Sequence, residues 1–134
     1  MTEMLVGLER MYTLMWRERD LDAALRDLPE DFEWVMPGPP DGSVRHGRHA
    51  VTDFFHDWLD QWDESDSEWA LEQTRPDTVL ALVTTSGRGR ASGVPVEITY
   101  AQVWTFRDGE AARMVLYADP DRGRTAAGAA PPPS

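Results

Sequence analysis

VPVEITYAQVWTFRDGEAARMVLYAD, residues Val94 to Asp119, is the stretch that decides the fold. Before Arg107-Asp108-Gly109, Val96, Ile98, Tyr100, Gln102, Trp104 and Phe106 occupy one side of a period-two pattern, and Glu97, Thr99, Ala101, Val103, Thr105 and Arg107 the other. An Asp-Gly pair after such a β-branched and aromatic run predicts two long antiparallel strands joined by a tight turn. One side of the first strand is large and apolar, with a single amide at Gln102. A sheet face of that kind must be covered, and the segments on either side are suited to cover it.

Working back from the hairpin, TVLALVTTS (78–86) leading into GRGRASG, and residues 69–74 before it, predict two further strands, with the acidic DESDSE (63–68) as a connector. A helix is predicted over residues 48–62. Val51, Phe54, Phe55, Trp58 and Trp62 fall on one face of it, and His49, Asp53, His56 and Asp60 on the opposite face. Ahead of it, PGPPDG (37–42) is loop chemistry, and Asp31 to Met36 alternates as a strand with Phe32, Trp34 and Met36 on one side. Asp20 is placed to cap a short helix, LDAALRDL, ended by Pro29. Residues 3–19 form an amphipathic helix whose apolar stripe is Met4, Leu5, Leu8, Met11, Tyr12, Met15 and Trp16. Beyond the hairpin, residues 121–134 carry too little apolar content to pack and are expected to be a disordered tail. Helices first and antiparallel strands last give an α+β domain over residues 1–120, with helices on one face of a curved sheet.

Composition removes several classes of function. A chain of 134 residues is long enough to bury roughly two thirds of its unfolded surface as one domain. It has no cysteine, so no disulfide and no thiolate-bound zinc. There is no apolar run of membrane-spanning length, and the N-terminus is no secretory signal, so a cytoplasmic protein is expected. A net charge of −11 argues against nucleic-acid and anionic-membrane partners. All thirteen basic residues are arginine. Guanidinium groups suit phosphate and carboxylate, yet the richness in Ala, Gly, Pro and Arg throughout makes compositional bias the simpler account.

The motifs RDLDAAL (19–25), EDFEWVMP (30–37), HGRHAVTDFFHDW (46–58), GRGRASG (87–93) and VWTFRDGEAARMVLYAD (103–119) cover nearly all of residues 3–120. In that order they resemble the SnoaL-like branch of the NTF2-like, ketosteroid isomerase-like superfamily. The resemblance implies a cone-shaped α+β barrel, a curved and mainly antiparallel sheet wrapped around three N-terminal helices. It also implies a deep apolar pocket and a homodimer through the outer face of the sheet, which Ala101 and Val103 would permit. Activities in the superfamily range from isomerases and polyketide cyclases to non-catalytic binding domains, so fold does not fix function. In the isomerases an oxyanion tyrosine lies on the first helix, a base carboxylate ends the first strand, and a protonated acid lies on the strand before the last turn. The matching positions here hold Tyr12, Met36 and Gln102. A thioether cannot abstract a proton, which excludes that mechanism.

What the resemblance leaves is a pocket with a phenol and an amide. Tyr12 and Gln102 are candidate donors to a ligand carbonyl, inside walls of Trp16, Trp34, Met36, Phe54, Trp58, Tyr100 and Trp104. His46, before Gly47 at the start of the third helix, is the candidate proton carrier near neutral pH. Asp31, its nearest carboxylate in sequence, has the strand parity to point away. His49, Asp53 and His56 have a spacing that metal ligands use, but they share a face with Asp57 and Asp60 and are expected to be solvated, with no metal bound. Arg88 and Arg90 are expected to face solvent. No glycine-rich phosphate loop and no Ser-His-Asp set is present, so any chemistry is expected to be cofactor-free. The expected partner is a small hydrophobic molecule; a non-catalytic ligand-binding or dimeric interaction domain is the alternative, and aromatics that merely fill the cone are the purely structural one.

Overall fold

The computed structural model describes residues 2–36 and 43–129, so the loop expected over 37–42 lies outside the described residues. Among them, six strands form one sheet in the order β2-β1-β6-β5-β4-β3. The strands are β1 (Glu33–Met36), β2 (Ser43–His46), β3 (Trp62–Arg75), β4 (Thr78–Gly89), β5 (Pro95–Arg107) and β6 (Glu110–Tyr117). All pairings are antiparallel except β1 with β6. The sheet is curved but does not close, so the expected α+β, NTF2-like cone has two free edges, β2 and β3.

The hairpin forms as the alternation requires. Arg107 pairs with Glu110 across a two-residue turn in which Asp108 (φ 53°) and Gly109 (φ 81°) are both left-handed, matching strand twist. Three helices pack on the concave face. Helix α1 (Glu3–Trp16) starts at Thr2, whose hydroxyl accepts the Leu5 N–H, and buries Leu8, Tyr12, Met15 and Trp16 at helical spacing. Asp20 caps α2 (Leu21–Leu25) by accepting the Ala23 N–H at 3.0 Å. Helix α3 (Gly47–Leu59) begins one residue and ends three residues earlier than expected, because Trp62 already belongs to β3. Its start is set by Gly47, with φ +84° and its N–H donated to Phe32 O. A β-carbon there would lie 2.9 Å from Glu30 O, so only glycine fits.

Three expectations are corrected. Ser43–His46, given no element by the pattern, is strand β2. The acidic run 63–68 is not a connector but the first half of β3: Ser67, Trp69 and Leu71 turn inward while Glu64, Asp66, Glu68 and Glu72 stay exposed. Small polar side chains at inward positions hid the alternation.

The third correction concerns residues 120–127, which are helix α4 (Pro120–Ala127) rather than disordered tail; residues 130–134 are outside the description. Asp119 caps α4, Pro120 occupies its first turn and Gly128 closes it in the left-handed conformation, a complete set of helix-end signals. The helix lies on the convex face over Leu80, Ala101 and Val103. Contact is so close that a β-carbon on Gly123 would meet the Ala101 β-carbon at 2.3 Å. Ala101 and Val103, the surface expected to admit a second copy, are therefore buried by the chain's own C-terminal helix. No helix among the described residues is long and apolar enough to cross a membrane.

Candidate functional site

A cavity of about 500 Å³ opens between α3 and the concave face of β1, β5 and β6. Helix α3 contributes Phe54, Phe55 and Trp58; β1 contributes Trp34 and Met36; β5 contributes Ile98, Tyr100 and Gln102; Leu116 of β6 completes the wall. Strand register explains the gathering. Trp34 stands opposite Met114, which stands opposite Trp104, and Gln102 stands opposite Leu116, so alternate residues of neighbouring strands share the face. The aromatics meet edge-on, Trp34 with Phe55 at 4.9 Å and Phe55 with Trp58 at 6.4 Å, an arrangement that holds rings rigidly without filling the space between them.

Five expected wall residues line the cavity: Trp34, Met36, Phe54, Trp58 and Tyr100. Trp16 and Trp104 do not. Trp16 is buried behind Trp58 as an edge-on support, and Trp104 is locked between Phe32, Trp34 and Tyr12. Phe55, Ile98 and Leu116 were not singled out beforehand. Phe55 and Ile98 sat on the predicted apolar faces, and the period-two run Met114, Leu116 was the available signal for Leu116. Sequence pattern also gave no sign of Arg45. It pairs across from Trp34 and lays its guanidinium 4.2 Å over the ring of Phe54.

Tyr12 is not a ligand-facing phenol. It is buried, stacked on Trp69, and its hydroxyl is saturated: it accepts the Trp104 indole N–H at 3.0 Å and donates to Gln102 Oε1. Burial pushes its pKa far above the ordinary tyrosine value, opposed by the Trp104 hydrogen bond, so the hydroxyl keeps its proton. The polarity of this chain is forced. An indole N–H only donates, so the Tyr12 oxygen accepts from it. The one Tyr12 hydrogen must then find an acceptor, and Gln102 must meet it with its carbonyl oxygen. Gln102 lines the cavity, and with its oxygen committed to Tyr12 its amide NH2 is the donor it has left. Any effect of Tyr12 on the cavity therefore passes through Gln102.

His46 does not enter the cavity. It pairs with Glu33 across β1 and β2, one residue out of phase with Trp34 and Arg45, and is exposed at the start of α3. Strand parity, invisible while β2 was unassigned, turns it outward. Asp31 is exposed and paired with Arg107 at 2.7 Å. His49, Asp53 and His56 are exposed on α3, with His56 3.8 Å from Asp22. Arg88 is exposed, and Arg90 pairs with Asp63. Among the described residues, the one carboxylate on the cavity lining is Glu97, exposed at the rim.

A family model described as the SnoaL-like domain matches residues 8–114. Similar solved structures include an NTF2-like protein of unknown function from Burkholderia pseudomallei K96243, 19% identical, with 93% of this chain and 97% of that one covered and a TM-score of 0.76. TerC, co-crystallised with polyporic acid, is 21% identical over 88% of this chain and 92% of its own, with a TM-score of 0.73. A protein named as a candidate SnoaL-like polyketide cyclase from Jannaschia sp. CCS1 is 16% identical over 96% and 94%, with a TM-score of 0.76. At these identities the likeness is one of fold. No curated protein matches the chain.

Proposed function

Since this chain belongs to the SnoaL-like domain family, we propose that it binds a small hydrophobic, carbonyl-bearing molecule between α3 and the sheet, and that any conversion there is cofactor-free, of the isomerase, cyclase or lyase type. The observation that carries this is the Trp104–Tyr12–Gln102 chain, which commits the Gln102 oxygen to Tyr12 and leaves its amide NH2 as a donor on a largely apolar cavity lining. Apolar walls with a few fixed polar groups are the usual make-up of a small-molecule site, and about 500 Å³ suits a ligand of two to four fused rings. The neighbour named as a candidate polyketide cyclase and the one crystallised with polyporic acid support the same class of ligand.

Polarising a carbonyl oxygen is the chemistry these groups support; proton abstraction is not. Met36 ends β1 where the isomerases carry their base, His46 lies outside, and Glu97 is at the rim. Among the described residues no base faces inward, which favours the second reading, a non-catalytic ligand-binding or dimeric interaction domain of the same fold. A homodimer belongs to the proposal as well, through a surface other than the patch beneath α4. So does a cytoplasmic protein without nucleic-acid or membrane partners, supported by the net charge of −11.

Thermal unfolding with a panel of polycyclic ketones, terpenoids and acyl compounds tests the proposal. A ligand at ~100 times its dissociation constant adds ~2.7 kcal/mol, a shift of several degrees in a domain of this size. Ketones are expected to shift wild type and to shift Gln102→Leu less. No shift with any compound would overturn the reading. Product formed on incubation with the hits would identify an enzyme, and unchanged ligand would favour the binding domain.

A further inference from the structure

Tyr100 brings a further polar group to the cavity wall. Its hydroxyl stands 2.9 Å from Thr85 Oγ1, which stands 2.7 Å from Ser67 Oγ, so three hydroxyls run in a row across β5, β4 and β3. Each hydroxyl has one hydrogen to give, and the row contains two bonds, so one hydrogen is left over. If Tyr100 donated to Thr85, the spare hydrogen would be Ser67's or, with Ser67 donating as well, Thr85's own. Ser67 is 2% exposed, Thr85 is 1% exposed, and among the described residues Ser67 Oγ has no other partner. A buried donor left without an acceptor is costly. Running the other way, every buried hydrogen is used, and the spare one belongs to Tyr100 on the cavity wall.

We propose that the row is polarised from Ser67 through Thr85 to Tyr100, and that Tyr100 therefore presents its O–H to the cavity as a fixed donor that selects ligands by an electron-rich oxygen. The inference rests on the ligand-binding reading above and narrows it. One neighbouring group on the same lining has the same sign: Gln102, whose oxygen is committed to Tyr12, has its amide NH2 left to give. Burial raises the Tyr100 pKa, with the Thr85 hydrogen bond opposing it, so the phenol keeps its hydrogen. An interior wall that only gives hydrogens accepts a ketone, ester or quinone oxygen and turns away a ligand N–H. Ser67 and Thr85 are positioning residues; Tyr100 is the one that touches the ligand.

Two measurements test this, one without any ligand. Tyr100→Phe would leave the Thr85 hydrogen with no acceptor, whereas Ser67→Ala would orphan no hydrogen, because Thr85 still donates to Tyr100. Tyr100→Phe is therefore expected to lower the unfolding midpoint by several degrees and Ser67→Ala by clearly less; the reverse order overturns the proposal. The second compares three probes of one shape by titration: 1-tetralone as acceptor, tetralin as neither, and 1,2,3,4-tetrahydroquinoline as donor. Wild type is expected to bind the ketone roughly tenfold tighter than the hydrocarbon and the amine no tighter than the hydrocarbon. Tyr100→Phe should cut the ketone advantage severalfold, leaving the share held by Gln102, and leave tetralin unchanged. Tighter binding of the amine, or a ketone advantage undiminished in Tyr100→Phe, overturns the inference. If none of the three binds, the ligand-binding reading fails, while the unfolding comparison still decides the direction of the row.

Discussion

The two faces of the sheet solve the same covering problem in opposite ways. On the convex face, β5 presents Ala101 and Val103, and α4 answers with Gly123 and Ala127, small against small, with no room between them. On the concave face, β5 presents Tyr100, Gln102 and Trp104, and α3 answers with Phe54, Phe55 and Trp58. The face with far more apolar bulk is the one that contains the cavity. Rigid rings meeting edge-on cannot interdigitate as small residues can, so bulk and filled volume part company. Within the concave face the same contrast recurs along β5: Trp104 at the closed end is sealed by Phe32 and Trp34, whereas Val96 and Ile98 at the open end are 38% and 43% exposed.

The largest effect is expected where the concave face is sealed. Trp104→Ala removes a buried ring and strands the Tyr12 oxygen without its donor, and should cost about 3–5 kcal/mol in chemical denaturation. A cost near zero would mean that the closed end is as loose as the open one. Next comes the convex face. Gly123→Val forces a side chain into Ala101 and should cost about 1–3 kcal/mol, while probe binding in the cavity stays within twofold of wild type. Loss of binding would show that the two faces are not independent. The smallest effect is set by pH. Both raised phenols, Tyr12 and Tyr100, titrate on the concave face. Because their folded pKa values exceed the unfolded value of 10.0, the stability that depends on them is present below pH 10.0 and falls as pH rises further, when only the unfolded chain releases the protons. Alkaline melts should show that slope, and Tyr12→Phe should flatten it; an unchanged slope would place the cost elsewhere.

Much of this was legible in sequence, and the failures have physical causes. The Asp108-Gly109 turn, the Asp20 cap and the apolar faces of α1 and α3 followed from local rules that tertiary contacts did not override. Helix α4 was missed because apolar content was weighed above its end signals, although small residues can pack by closeness instead of area. β3 was half missed because Ser67 occupies an inward position that hydrophobic periodicity would give to a large side chain. In the site, Gln102 and most of the walls were readable from parity. Tyr12 was not, because no local pattern tells that an indole from β5 lands on its oxygen. His46 was misplaced for want of β2, the strand that sets its direction.

The open sheet also bears on how the protein behaves in a crowd. Among the described residues the fourteen-residue β3 is an edge strand, and an edge with unpaired backbone invites a second chain to add a strand. The carboxylates of Glu64, Asp66, Glu68 and Glu72 stand along this strand, Asp66 and Glu68 sharing the single cation of Arg17, so the strand stays acidic and each copy repels the next as long as the molecule is strongly anionic. That repulsion disappears near the isoelectric point of about 4.5. Mild acid would then turn the sequence's most soluble-looking stretch into its most adhesive one.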